Sequence, residues 1–299
     1  MRVLVTGATG FIGSAVVQEL LRAGHEVVGL ARSDASAEAL VATGAGVVRG
    51  SLEDLAALRA GAASAGGVVH VAFTNVSPTT DFAAASRADA AAIGALGAGL
   101  AGTGKPLVVT SGTGLVSVPD RAVTEEDPAN WGPRVAGEEA ALALAGQGVR
   151  VSVARLSLSV HDGQADRNGF VPALIALARE KGTSAYIGAG ANRWTGVHRL
   201  DAARLFRLAL EGAPAGAKLH GVGDEGVPFR QIAAAIGAGL GLPVTAVAAG
   251  DADAHFGYLA PFIGLDNPTS NERTRALLGW KPEHPGLLAD IERGGYIKA

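Results

Sequence analysis

Short apolar runs alternate with longer amphipathic segments through the first half of the chain. The apolar runs, which are rich in Val and Leu, predict strands at residues 3–5, 26–31, 46–49, 68–71, 107–110 and 151–154. The amphipathic segments predict helices at residues 11–23, 35–43, 52–63, within 81–101, and at 134–145. Apolar strands that alternate with helices indicate a parallel sheet covered on both faces. The pattern therefore predicts an α/β fold with a doubly wound parallel sheet.

The alternation becomes less regular in the second half of the chain. Helical spacing returns at residues 170–181, 200–211 and 228–239, strand-like runs lie at 218–222 and 243–248, and the last quarter is rich in loops and proline. We therefore predict a first domain at 1–168 and a smaller substrate-binding lobe at 169–299, with the helix at 200–211 packing on the first domain. Ligands of such folds lie beyond the C-terminal ends of the strands, so substrate is expected in the cleft between the two.

A glycine-rich turn joins the first predicted strand to the first predicted helix. Gly7 and Gly10 can adopt backbone angles closed to other residues and leave room for a ligand, while Gly13 lets the helix pack closely on the strand. Free N–H groups and the positive end of the helix dipole then face a pyrophosphate. The turn predicts a Rossmann dinucleotide-binding domain whose first contacts come from Gly7, Thr9, Gly10, Phe11, Ile12 and Gly13.

The end of the second predicted strand indicates which dinucleotide is expected. Folds that prefer NAD usually carry an acidic residue there, whereas this chain has Ala31 followed by Arg32 and Ser33. An arginine and a hydroxyl suit the 2′-phosphate of NADP, so NADP is predicted and NAD is less favoured. Asp34 would repel that phosphate, and we assign it instead as the cap of the next helix.

Amino-acid composition and net charge exclude several classes of protein and of binding site. The 299 residues are 48% hydrophobic, which is enough for a substantial core. The net charge of −3, with no basic patch, argues against nucleic acid and anionic membranes as partners. The absence of cysteine excludes disulfides and cysteine-based metal sites, and no His and acid spacing predicts a metal site. The glycine motif begins too early for a signal peptide, and the uncharged stretches at 90–104 and 232–250 are dominated by Ala and Gly, so a cytoplasmic protein is expected.

Six segments along the chain form a recognisable set: TGATGFIG at 6–13, VVHVAF at 68–73, VVTSG at 108–112, RL at 155–156, VHRLDAA at 197–203 and LGWKP at 278–282. With these segments the chain resembles the extended or atypical short-chain dehydrogenases/reductases, the NAD-dependent epimerase/dehydratase-like group. The resemblance implies a doubly wound sheet, a C-terminal substrate lobe and often a homodimer built from two helices. The predicted cofactor contacts further include Ser51, Leu52, Ala72, Phe73, Ser111 and Leu156.

The catalytic signature of that family is a Ser or Thr followed by Tyr-x-x-x-Lys, in which tyrosine exchanges the substrate proton and lysine lowers the tyrosine pKa. In this chain Arg134 stands at the tyrosine position and Glu138 at the lysine position, and the serine position falls near Gly112. None of the three tyrosines, Tyr186, Tyr258 and Tyr296, has a lysine four residues later. Arg134 and Glu138 share a helix face, so they either form an intrahelical ion pair or leave Arg134 free to bind an anion.

Candidate site residues follow from these positions. Catalytic candidates are Ser111, Thr113, Arg134 and His161, and substrate-pocket candidates are Trp194, His198 and Tyr258. His70 is expected to be a core histidine, and Asp201 is expected to bond backbone N–H groups at the start of its helix. The aromatic residues at 254–262 either line an apolar substrate pocket or pack within the lobe.

These residues predict an NADP-dependent reductase of small carbonyl or conjugated C=C substrates, with Arg134 stabilising a developing enolate. Two alternatives stay open, since the fold does not separate them. One is a catalytically silent NADP-binding sensor or structural protein. The other is an epimerase of the sugar-nucleotide type, which is disfavoured because reversible alcohol oxidation needs the missing base.

Overall fold

The computed structural model describes residues 1–73 and 79–297. In chain order, strands β1 to β12 span Arg2–Thr6, Glu26–Ala31, Gly46–Arg49, Gly67–His70, Pro106–Gly112, Arg150–Leu156, Ser159–His161, Ser184–Ile187, Arg193–His198, Ala217–Gly221, Asp224–Pro228 and Val244–Val247. Helices α1 to α12 span Phe11–Arg22, Asp34–Ala42, Leu55–Ser64, Phe82–Leu100, Val135–Ala143, Phe170–Lys181, Arg199–Gly212, Phe229–Leu240, Ala252–Phe256, Ala260–Ile263, Glu272–Leu278 and Leu287–Glu292.

The central sheet has seven parallel strands in the order β10-β6-β5-β4-β1-β2-β3. The chain runs from β1 to β3 on one side of the sheet and then crosses to β4 on the other side of β1. The strand order therefore reverses between β1 and β4, and ligands of open α/β sheets bind at such a point. The predicted doubly wound parallel sheet is confirmed.

Two apolar clusters cover the faces of this sheet. On one face α1 packs with α7 through residues that include Val16, Leu20, Phe206 and Leu210. On the other face α3, α4 and α5 supply a second cluster, with Leu58 and Ile93 among its buried members. Helix α7 belongs to the second half of the chain but packs on the first half, as the sequence predicts for 200–211.

A third apolar cluster lies in the second half of the chain, around Trp194, Phe229 and Ile236. Two small sheets flank it, β11-β9-β7 and β12-β8. The sequence missed β7, β8, β9 and β11 because these strands are short and lack a continuous apolar run; β9, for example, reads RWTGVH. The domain boundary at residue 168 stays a prediction. Among residues 1–73 and 79–297, no helix has the length and apolar character needed to cross a membrane.

Candidate active site

The glycine turn between β1 and α1 packs against the end of β4. Gly7 has a φ of +65°, and a Cβ there would lie 2.8 Å from the Cα and N atoms of Ala72. A Cβ at Gly13 would collide with the carbonyl oxygen of Gly7. These two glycines are therefore required by the close packing of the turn itself, and they place Ala72 and Phe73 beside it.

Gly10 has a different role, because a Cβ there would meet only the carbonyl oxygen of Gly7, at 3.2 Å, among the described atoms within 4 Å. The hydrogen of Gly10 thus faces open space at the start of α1. Gly10 is also the cap of that helix and offers no side-chain bond to its first N–H groups. Free backbone donors behind an open approach suit a pyrophosphate, so the residues present fit a dinucleotide.

The end of β2 differs from the prediction in one respect. Ser33, not Asp34, caps α2: its backbone is extended, and its hydroxyl accepts from the Ser36 N–H at 3.2 Å. Asp34 lies in the first turn and accepts from the Arg49 side chain at 2.7 Å. The negative charge of Asp34 is therefore matched by Arg49. Arg32 is exposed, and its positive charge helps to lower the pKa of Glu53, although the hydrogen bond from Ser51 contributes more.

Arg134 is held at the carboxyl edge of the sheet, between the ends of β4 and β5. Its guanidinium carbon lies 3.9 Å from the centroid of the Phe73 ring, and Nη2 donates to the Thr110 carbonyl at 3.3 Å. Its Nε is buried with no hydrogen-bond partner in the described part of the chain. Burial lowers the Arg134 pKa, while the carboxylates of Asp89 and Glu138 oppose that shift. The guanidinium keeps its charge at neutral pH, since arginine is not deprotonated in proteins.

Glu138 pairs with Arg155 of β6 rather than with Arg134. Arg155 Nε lies 3.1 Å from both carboxylate oxygens of Glu138, and its Nη2 makes a further short contact with Oε1. Ser111 also donates to the same carboxylate, at 2.7 Å. Arg155 and Glu138 are almost fully buried. The intrahelical ion pair is therefore absent, and Arg134 is left without an ion-pair partner among the described residues.

Removal of the Glu138 carboxylate is expected to destabilise the fold strongly. The Glu138→Ala variant leaves Arg155 as a buried, unpaired charge, which typically costs about 3–5 kcal/mol of unfolding free energy. Urea unfolding monitored by circular dichroism measures the change. The neighbouring variant Glu139→Ala, at an exposed helix position, is the control and should stay within about 0.5 kcal/mol of the parent. Equal stabilities of the two variants would contradict the buried pair.

Thr113 and His161, two other catalytic candidates, join distant parts of the chain. Thr113 is fully buried and donates to Asn267 Oδ1 at 2.7 Å. His161 is buried with its Nδ1 atom 2.8 Å from Asp290 Oδ2. Arg134 is therefore the catalytic candidate that places a charged group at the carboxyl edge of the sheet. The side chains of Ser111, Thr113 and His161 each form a buried hydrogen bond to another part of the chain.

The three pocket candidates lie in different environments. Trp194 is 1% exposed, and its indole N–H donates to the Phe262 carbonyl at 3.1 Å. It therefore belongs to the core of the second half of the chain and not to its surface. His198 is buried, caps α7 through the Leu200 N–H, and has its pKa lowered mainly by burial. Tyr258 is 42% exposed.

Two further assignments concern residues that stabilise the fold. His70 is a satisfied core histidine as predicted, with Nδ1 2.8 Å from Thr6 Oγ1 and Nε2 3.0 Å from Asp89 Oδ1. Asp201 does not bond the start of its own helix, because His198 already caps it. Its carboxylate instead accepts from the N–H groups of Glu283 and His284, and so anchors the C-terminal segment.

Comparison with known proteins supplies the family. Residues 3–96 match the NAD dependent epimerase/dehydratase family. An uncharacterized protein of Schizosaccharomyces pombe is 48% identical over 299 residues, which cover 99% of this chain and 100% of that protein. An uncharacterized protein of Saccharomyces cerevisiae is 43% identical over 301 residues, with 99% of each chain covered. The chain belongs to the NAD dependent epimerase/dehydratase family.

Solved structures of the same architecture agree with this family membership. DesIV, a dTDP-glucose 4,6-dehydratase from Streptomyces venezuelae solved with NAD and TYD bound, superposes with a TM-score of 0.79 at 22% identity, over 99% of this chain and 96% of that chain. A UDP-glucose 4-epimerase from Thermotoga maritima, solved with UDP-glucose, gives a TM-score of 0.78 at 20% identity, over 100% and 99% of the two chains. These likenesses show the fold, and the family makes the protein an NAD(P)-dependent enzyme of the short-chain dehydrogenase/reductase type.

At the positions where the sequence predicts the catalytic tyrosine and lysine, this epimerase/dehydratase family member carries Arg134 and Glu138. Arg134 is held over the Phe73 ring, and Glu138 is part of a buried ion pair. Sequence reasoning named Arg155 only as part of a family segment, without its partner, and it missed Asn267 and Phe82. The partners of Arg155 and Asn267 lie far away in the chain, so no local spacing signals them. Phe82 is the first residue of α4, and the only local sign of its role in the site is an aromatic residue at the start of a helix.

Proposed function

We propose that the protein is an NADP-dependent reductase of small carbonyl compounds or conjugated enones. The observation that supports this most directly is the Arg134 guanidinium, which is charged, has no ion-pair partner in the part of the chain that the structure describes, and stands where the sequence predicts the tyrosine of the family. A guanidinium is a poor proton donor but binds oxygen anions well. It suits a reaction in which negative charge develops on oxygen, such as the reduction of an enone to an enolate.

Separate groups of residues would bind the cofactor and the substrate. The glycine turn at 7–13 would hold the pyrophosphate, and Arg32 the 2′-phosphate. When bound, NADPH supplies the hydride. Arg134 binds the substrate oxygen and stabilises the negative charge that forms on it, and a proton from solvent water then converts the enolate or alkoxide into the neutral product. The Phe73 ring and the Thr110 carbonyl fix the guanidinium beforehand, so little reorganisation is needed during the reaction.

The direct test is steady-state oxidation of NADPH, followed by absorbance, with a panel of ketones, diketones and enones. We expect turnover of at least one enone or ketone. A silent NADP-binding protein is the second candidate, because Ser111 and the lysine-equivalent Glu138 are locked in a buried network with Arg155. Tight NADPH binding without turnover of any panel member would favour that second candidate.

The preference for NADP rests on Arg32 and gives a separate prediction. NADPH should bind more tightly than NADH, and Arg32→Asp should reverse the order, because a carboxylate repels the 2′-phosphate and accepts from a ribose hydroxyl. Calorimetric titration of both dinucleotides measures the two affinities. Arg59→Asp, at an exposed position in the middle of α3, is the charge-matched control and should keep the parent's order. Equal affinities of the parent for NADPH and NADH would remove this assignment.

A further inference from the structure

A continuous row of aromatic rings begins beside Arg134 and extends into the second half of the chain. The Phe73 ring, which lies under the guanidinium, is 6.1 Å from the ring of Phe82. Phe82 is 6.5 Å from Phe262, and Phe262 is 5.1 Å from Phe170. Each of these centroid distances falls within the range of interacting aromatic pairs. We call Phe73, Phe82, Phe262 and Phe170 the ring row.

The ring row joins the two halves of the chain. Phe73 follows β4 and Phe82 opens α4, so both belong to the carboxyl edge of the large sheet. Phe170 opens α6 and Phe262 lies in α10, around the third apolar cluster. Trp194 packs behind Phe170, with 5.3 Å between centroids. The row therefore extends from the carboxyl edge of the large sheet, where ligands of open α/β sheets bind, into the second half of the chain.

The four rings of the row are all partly exposed. The chain has eight phenylalanines, and three others, Phe206, Phe229 and Phe256, are buried. Half of the phenylalanines of an aromatic-poor chain thus form one surface that is only partly covered. Partly exposed aromatic rings beside a single charged group are typical of the lining of small-molecule sites.

Charge along the row favours a ligand that is apolar except at one end. The guanidinium of Arg134 lies at one end, over Phe73. In the second half of the chain, Arg193 bonds Asp266 at 2.7 Å and Arg199 bonds Asp162 at 2.7 Å, so the charges of these two arginines are already matched. A diphosphate needs free cations or N–H donors near its charge, whereas an aryl group needs apolar surface.

We propose, on the basis of the reductase function above, that the substrate is a small aryl-substituted ketone or enone and not a sugar nucleotide. Its carbonyl oxygen lies on Arg134, and its aryl group lies against the ring row. The four rings lie on four separate segments of the chain, so their spacing is fixed by the fold. The row therefore favours a substrate whose apolar group is flat and long enough to lie along it.

Binding is tested with a ketone that the enzyme cannot reduce in the presence of oxidised cofactor. We would titrate 4-phenylbutan-2-one, pentan-2-one and UDP-glucose by calorimetry into the full-length protein, with and without NADP⁺. The aryl ketone should bind at least about tenfold more tightly than pentan-2-one, because aromatic contacts and the larger apolar area favour it. UDP-glucose should bind more weakly than the aryl ketone.

Two variants connect that preference to the ring row. Phe82→Leu and Phe262→Leu keep an apolar side chain but remove the ring, and each should reduce the aryl preference by about three- to tenfold. Leu277→Ser, at an exposed position on α11 away from the row, is the control and should bind the aryl ketone as the parent does. NADP⁺ affinity should be the same in all three variants.

The outcomes separate this inference from the reductase proposal. Equal binding of the aryl and aliphatic ketones, tighter binding of UDP-glucose, or no effect of either ring substitution would overturn the inference. Ring-dependent binding without reduction of 4-phenylbut-3-en-2-one would support the pocket and count against the reductase. Reduction of pent-3-en-2-one as efficiently as of 4-phenylbut-3-en-2-one would support the reductase and reject the aryl preference.

Discussion

Replacement of Arg134 by alanine is expected to lower kcat for enone reduction by a factor of about a hundred to a thousand, while NADPH affinity changes little. Loss of one preorganised electrostatic contact to a developing oxyanion typically raises the barrier by about 2.7–4 kcal/mol. The structure favours the upper part of this range, because the Arg134 Nε atom is buried and the guanidinium has no ion-pair partner among residues 1–73 and 79–297. Steady-state NADPH oxidation with the best panel substrate measures kcat, and calorimetry measures NADPH binding.

Two companion variants make the Arg134 test specific. Arg134→Lys keeps the charge but loses the planar group that stacks on Phe73, so it should recover only part of the lost activity. Arg59→Ala removes an exposed arginine on α3 and should leave kcat unchanged. If Arg134→Ala turns over at the parent rate, Arg134 has no part in the chemistry, and Thr113 and His161 become the next residues to substitute.

The second large effect is expected at the glycine turn, where Gly10→Val should abolish dinucleotide binding without unfolding the protein. The backbone of Gly10 is extended, with φ −74°, so a side chain is compatible with its φ and ψ, and its Cβ, 3.2 Å from the Gly7 carbonyl oxygen, requires only a small shift of the turn. Its side chain would fill the open space in front of α1 where the pyrophosphate approaches. Calorimetry should show no NADPH binding at concentrations that saturate the parent, and thermal unfolding should stay close to the parent's.

Gly94→Val is the matched control for the glycine substitution. Gly94 lies in the middle of α4, is exposed, and a Cβ there meets no described atom within 4 Å. The Gly94→Val variant introduces the same side chain away from the glycine turn, and NADPH binding should be retained. Binding of NADPH by Gly10→Val at parental affinity would show that the dinucleotide lies elsewhere.

The large sheet was predictable because each of its strands carries its own local signal. β2 and β3 begin and end at the predicted residues, 26–31 and 46–49, since their apolar runs are bounded by turn residues. α6 also matches its predicted bounds, as a glycine follows its last turn in the left-handed conformation. β9 and β11 form an antiparallel pair, but β9 reads RWTGVH with glycine and polar residues at buried positions, and β11 reads DEGVP, so neither shows an apolar run or a regular alternation.

The sequence by itself determined the glycine turn, the arginine after β2 and the absence of the Tyr-x-x-x-Lys pair of the family, because each is a matter of residue type at a fixed spacing. The tertiary structure alone decided the partner of Glu138, which is Arg155 on a different element and not Arg134 four residues away. It also decided that Phe73 lies under Arg134, and that Phe82, Phe170 and Phe262 continue the row. Local motifs follow from spacing along the chain, whereas the contact of one segment with another depends on how the sheet and its helices pack, and packing has no signature in any single segment.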